Sequence, residues 1–161
     1  MDLEPIGSAD QASGRVDLHQ TVAAGLPRVW EALTSAAGLT AWLGRPQGPV
    51  LGPGVRFGLW HEDQVRSEHE VLQWTPLRLL VLTWDFPGEP VSRVRLGLHE
   101  HGTGSAVALE HQGVPDAVAY AAGWHVHLDF LAEVVAGRPR SFGTFWDDYE
   151  ALLRNYGRHA R

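Results

Sequence analysis

The apolar positions of this chain alternate between two spacings, one near two residues and one near 3.6, and the order of the switches outlines a fold. Within RVDLHQTVA, Val16, Leu18 and Val22 fall in phase, which predicts a first half-buried strand. Leu26, Val29, Trp30 and Leu33 then share one face of a helix over 26–34, with Pro27 in its first turn, where a missing N–H costs nothing. Residues 36–43 predict a second short helix, ended by the Gly/Pro-rich stretch GRPQGPVLGPG. From Val55 to Gly113 the period returns to two. Val55, Phe57 and Leu59 are in phase, segments 65–75 and 78–86 flank a turn at Pro76, and segments 92–99 and 105–111 are joined by the hairpin turn EHGTG. No connection among these strands is long enough for a parallel crossover, so they form an antiparallel meander.

After Pro115 the helical period takes over. From Ala117 to Val135, an apolar arc of about 180° holds Tyr120, Ala121, Trp124, His127, Leu128, Phe130, Leu131, Val134 and Val135. His125, Asp129 and Glu133 lie opposite, on the face expected to meet solvent. Gly137 and Pro139 mark the end of this helix. A last helix over 144–156 opens on Thr-x-x-Asp and carries Phe145, Trp146, Tyr149, Leu152, Leu153 and Tyr156 on one stripe. That stripe needs a cover, either its own subunit or a second copy in a homodimer. Residues 1–14 hold too little apolar surface to offset ordering entropy and are expected to form a mobile tail. The expected organisation is thus a tail over 1–14, one α+β domain over 15–137 and an additional C-terminal helix in 138–161.

Composition narrows the chemistry. The 161 residues include no Cys and no Lys, since all 13 basic residues are Arg. Thiol nucleophiles, disulfides, thiolate metal sites, Schiff-base lysines and lysine-bearing phosphate loops are excluded. A formal charge of -6 leaves no basic excess for nucleic acid or an anionic membrane surface. No apolar run approaches the roughly 18 residues that span a bilayer. MDLEPIGSADQASG has neither the basic nor the apolar region of a secretory signal, so a cytoplasmic location is expected.

The motifs LPRVWEALTSAAGLTAWLG, GVRFGL, EVLQWTPLRLLVLTW, GSAVALEHQGVP and GWHVHLDFLAEVVAG occur in this order over residues 15–137. In them the chain resembles the START-like (SRPBCC) superfamily, and within it bacterial proteins similar to the C-terminal domain of the heat-shock-protein-90 ATPase activator. The resemblance implies a helix-grip fold, a curved antiparallel sheet wrapped around a long C-terminal helix. It also implies a cavity between the two that binds a small hydrophobic or aromatic ligand.

Candidate chemistry is read against that cavity. His111 is in phase with Val107 and Leu109, and His127 falls within the apolar arc of the long helix. Both are expected to point inward, either lining the cavity or sitting in the core with their nitrogens satisfied. The candidate ligand-binding set is Trp42, Trp84, His111, Tyr120, Trp124, His127, Leu128 and Leu131. The pairs His99/His101 and His125/Asp129 are expected to be solvated, and HExxH is absent, so no metal and no cofactor is assigned. No catalytic residue is assigned either. The leading expectation is ligand binding. The alternatives are a polyketide cyclase/aromatase-like enzyme using the same cavity, and an interaction module contacting a chaperone or regulator.

Overall fold

In the computed structural model, which describes residues 3–62 and 64–161, the period-two segments pair into one eight-stranded antiparallel sheet. Its strands in chain order are β1 (Gly7–Asp10), β2 (Arg15–Val22), β3 (Arg45–Gln47), β4 (Arg56–Trp60), β5 (Arg66–Thr75), β6 (Leu79–Trp84), β7 (Ser92–His101) and β8 (Gly104–Gln112). In space they run β1-β2-β8-β7-β6-β5-β4-β3. Helices α1 (Leu26–Thr34), α2 (Ala36–Trp42), α3 (Ala117–Val135) and α4 (Phe145–His159) complete the chain.

Cross-strand rows build the gripping face. One row runs Val71–Leu82–Val94–His111–Val16 and another joins Leu80, Leu96, Leu109 and Leu18. All are buried, and α3 lies on them through Ala117, Ala121, Trp124, Leu128, Leu131 and Val135. The Asp116 carboxylate starts α3 by accepting the Ala119 N–H at 3.0 Å.

Two elements depart from the sequence expectations. Residues Gly7–Asp10, expected within a mobile tail, form an edge strand on β2, and Ala9 is buried. Main-chain pairing replaces the apolar burial that the segment lacks. Gln11 adds a clamp: its side chain donates to the Pro115 carbonyl at 3.0 Å and accepts the Ala117 N–H at 2.9 Å, pinning the start of α3. Arg45–Gln47, inside the Gly/Pro-rich stretch, is also a strand, and it tolerates Pro46 because it lies at the opposite sheet edge.

The terminal helix brings a third correction. His125 and Asp129 do not face solvent, because α4 packs over the outer side of α3. His125 Nδ1 meets the Tyr156 hydroxyl at 2.9 Å, and its Nε2 lies 3.5 Å from Asp129. The physical reason is that α3 is apolar nearly all round: Ala122 and Val126, off the arc drawn from sequence, are buried too. The stripe residues Phe145, Leu152 and Tyr156 are buried within their own subunit. Thr144 precedes α4 without capping it; its hydroxyl accepts from Arg140 instead.

The corner between α1 and α2 positions the future site. Trp42 Nε1 donates to the Ala32 carbonyl at 2.9 Å, and Ser35 caps α2 by accepting the Gly38 N–H. A Cβ on Gly38 would collide with that same Ala32 carbonyl. Gly38→Ala should therefore cost about 1–3 kcal/mol in a urea titration, although Ala is the better helix former.

Candidate functional site

A cavity of about 230 Å³ opens between β6, the segment after it, α3 and the start of α4. Trp84 and Trp124 meet edge to face in its wall, ring centroids 5.0 Å apart. Phe86, Tyr120, Phe142, Phe145, Trp146 and Tyr149 add further rings, while Leu43, Ala119 and Gly123 supply small or aliphatic surface. Its polar groups are His61, Glu62, Glu89 and His127. A more polar cleft of about 300 Å³ adjoins it, sharing Leu43, His61, Glu62 and Phe142 and adding Arg45, Trp60 and Gln64.

His111 holds the tryptophan pair from behind. Trp124 Nε1–H donates to His111 Nδ1 at 2.9 Å, which places the imidazole proton on Nε2. Nε2–H donates to Ser92 Oγ at 2.7 Å, and the Ser92 hydroxyl donates to the Trp84 carbonyl at 3.3 Å. Every side-chain polar atom of this Trp124–His111–Ser92 relay is satisfied. Burial lowers the His111 pKa to about 3, with a smaller push from His69, so the ring is neutral. His111 is fully buried and does not line the cavity.

His127 does line it. Its Nδ1–H donates to the Trp42 carbonyl at 2.8 Å, leaving Nε2 as a lone-pair acceptor. Desolvation lowers its pKa to about 4 against the favourable pull of that carbonyl. His61 is held in a parallel way. His69 Nδ1–H donates to the Thr83 carbonyl at 3.0 Å, so its Nε2 accepts from the Ser67 hydroxyl at 2.6 Å. Ser67 Oγ in turn accepts from His61 Nε2–H at 2.7 Å, which fixes the His61 tautomer from inside the sheet. His69, buried against Trp84 with ring centroids 4.6 Å apart, has a pKa lowered to about 4, mainly by desolvation.

Opposite these imidazoles, the Tyr120 hydroxyl donates to Glu89 Oε1 in a short hydrogen bond. Burial, then the Glu89 hydrogen bond and charge, raise the Tyr120 pKa, so the phenol stays protonated. Trp84 Nε1–H is turned to this hydroxyl closely enough to pull the Tyr120 pKa slightly back down, although it falls short of full hydrogen-bond geometry and Trp84 is only 5% exposed.

Of the residues named from sequence, the structure brings Trp84, Tyr120, Trp124 and His127 to the cavity. The other four lie behind it. Trp42 is core, its indole N–H spent on Ala32; His111 is sealed in its relay; Leu128 and Leu131 are fully buried on the sheet side of α3. Sequence reasoning missed His61, Glu62, Phe86 and Glu89, and it gave the stripe of Phe145, Trp146 and Tyr149 to packing on its own subunit or to a homodimer interface rather than to the cavity. Ser67, His69 and Val71 alternate in phase as buried residues of β5, a signal that could have drawn His69 inward. Among the described residues no three His, Asp or Glu side chains converge as a metal site, and no helix is long and apolar enough to cross a membrane.

A curved antiparallel sheet gripping one long helix, with an aromatic cavity at their junction, defines the helix-grip, START-like class. Within that class, the family described as Activator of Hsp90 ATPase homolog 1-like protein matches residues 23–136, and the chain belongs to that family. Among solved structures, CalU16 from Micromonospora echinospora is similar, with a TM-score of 0.75 and 26% identity over 89% of this chain and 86% of that one. The protein encoded by gene BPP1335 from Bordetella parapertussis has a TM-score of 0.72 and 25% identity, covering 97% of this chain and 93% of that one. The Aha1 dimer from Colwellia psychrerythraea has a TM-score of 0.66 at 15% identity, over 75% of this chain and 95% of that one, a likeness of fold alone. No curated protein matches the chain. The family match ends at residue 136, so the cavity rings from Phe142 to Tyr149 lie outside it.

Proposed function

We propose that the cavity binds a small hydrophobic or aromatic ligand carrying at least one polar group. The observation that carries this reading is the ring-lined cavity itself, in whose wall the buried Trp84 indole N–H is turned to the Tyr120 hydroxyl without completing a hydrogen bond. Dry space of about 230 Å³ would cost something like 5 kcal/mol on the mutant-cavity scale, comparable to a domain's whole stability. Water entering the mouth lowers that cost, yet aromatic faces hold water poorly. An apolar ligand with an oxygen acceptor satisfies both the faces and the indole.

Titrating a panel of apolar aromatics and fatty acids, followed by Trp fluorescence and melting temperature, tests the proposal. Gly123 supplies the control. A Cβ there meets only Tyr149 Cε2, at 4.0 Å, so Gly123→Leu projects into the cavity without striking backbone. The variant should keep the wild-type melting temperature or exceed it, because Gly is the poorer helix former by about 1 kcal/mol, and should lose binding at least ten-fold. Binding that survives Gly123→Leu, or no response to any panel member, contradicts the reading.

A second reading is an acid/base enzyme of the cyclase/aromatase kind. The fixed tautomers of His61 and His127 favour it, and the sealing of His111 moves any such chemistry onto these two residues.

A further inference from the structure

The chamber's polar chemistry is one-sided. Glu62 and Glu89 bring two carboxylates to the lining, Glu62 at the exposed rim and Glu89 half-buried. His127 adds an unprotonated Nε2. Among the described residues no Arg lines the chamber, and the chain has no Lys; Arg45 belongs to the adjoining cleft. The charged and lone-pair groups of the lining are thus acceptors, and the donors beside them, on Trp84, Trp146 and Tyr149, are neutral. Around them stand Trp84, Phe86, Trp124, Phe145, Trp146 and Tyr149, whose π-faces carry partial negative charge.

We infer, resting on the cavity-binding reading above, that the ligand carries a cationic amine on its apolar or aromatic body. An ammonium group offers only donors and positive charge, which complements two carboxylates, an imidazole lone pair and a set of ring faces. A carboxylate or phenolate ligand would place like charge beside Glu89 in a partly desolvated space. A neutral ligand would fill the rings but leave Glu89, already drawn out of bulk water, with only the Tyr120 hydroxyl. The Trp84 N–H, short of a full hydrogen bond to Tyr120, is placed to donate to an oxygen on the same molecule, which combines an amine and a hydroxyl or carbonyl oxygen on one apolar frame.

Three isosteres test this: 1-naphthylmethylamine, 1-naphthalenemethanol and 1-naphthoate, titrated calorimetrically into the full chain. The amine should bind about ten-fold more tightly than the alcohol, and the naphthoate more weakly than both. Glu89→Gln keeps an acceptor for Tyr120 while removing the charge, and should bring the amine-to-alcohol ratio to about one. Glu62→Gln, at the rim, should reduce the ratio by a smaller factor and more so at low salt. Circular dichroism checks that each variant is folded; if Glu89→Gln is not, the Glu62→Gln ratio and the salt dependence of wild-type amine binding decide. Equal binding of amine and alcohol, tighter binding of naphthoate, or a preference that survives in both folded Gln variants overturns the inference and leaves the cavity reading standing. No binding of any of the three overturns both.

Discussion

His111→Ala is expected to lower the unfolding free energy by about 3–5 kcal/mol, one of the largest effects of any single substitution near the cavity. The side chain occupies the centre of the row between Val16 and Val94, so its removal opens a void that the sheet cannot close. It also strands the buried Trp124 N–H and takes away the donor to Ser92 Oγ, whose own hydroxyl keeps its bond to the Trp84 carbonyl. His111→Leu, which fills the volume but accepts no hydrogen bond, should recover the void's share and leave about 1–3 kcal/mol of loss. Urea titrations of both variants measure this. A near-native midpoint for His111→Ala would mean that the relay is not structural, and would return His111 to the list of cavity residues.

Acid is expected to unfold the domain steeply between pH 6 and pH 4. His69, His111 and His127 have folded pKa values of about 4, 3 and 4, against an ordinary value of 6.5. In each case desolvation is the main cause. The unfolded chain therefore takes up protons near pH 6.5, while the folded chain refuses them until about pH 4 or 3. Their stabilisation is whole above pH 6.5 and is lost as pH falls towards the folded values, at up to about 1.4 kcal/mol per pH unit for each ring. His127, partly open to the cavity, contributes the least. Asp129 works in the opposite direction: desolvation pushes its pKa up to about 6, so the folded state gains a proton before the unfolded state does. The net slope is about 2–3 kcal/mol per pH unit, enough to consume an ordinary domain's stability within two or three units. Unfolding titrations at half-unit steps from pH 7 to 4.5 check it, and a flat profile would contradict the neutral, buried imidazoles described above.

Of the residues behind these two expectations, His111 and His127 have a direction, though not a depth, that can be read from the chain, whereas His69 is left unplaced and Asp129 is put on the solvent face. Period-two phasing put His111 on the gripping face, where it is. The hairpin turn sets Val94 of β7 beside it, but nothing local could say that β2 would flank it with Val16 and close it off, because register between strands distant in sequence is not written in either one. The same limit governs α3. Its bounds at Ala117 and Val135 follow from Asp116 and Gly137, local signals both. Which of its faces stays open depended on α4, whose aromatic stripe demanded burial without naming a destination. That stripe proved to cover His125 and Asp129 and to wall the cavity with Phe145 and Tyr149. The edge strands β1 and β3 escaped notice because they are held by main-chain pairing rather than by apolar side chains, so hydropathy carries little trace of them. Glu89 sits in the segment between β6 and β7, and only folding brings it to Tyr120 on α3.

The central claim is that an apolar ligand occupies the space beside Trp84. With seven Trp in the chain, the indole N–H signals of protein labelled with ¹⁵N-tryptophan report on it residue by residue, each assigned by a Trp→Phe substitution. On titration with 1-naphthylmethylamine, the Trp84 indole signal should move furthest, as its N–H gains ring-current shift or a partner, and Trp146 at the rim should follow. Trp30, packed against Trp74 at 5.0 Å outside the cavity, should stay in place. Movement of Trp30 and Trp74 with Trp84 unchanged, or no movement of any indole at saturating ligand, would contradict the account.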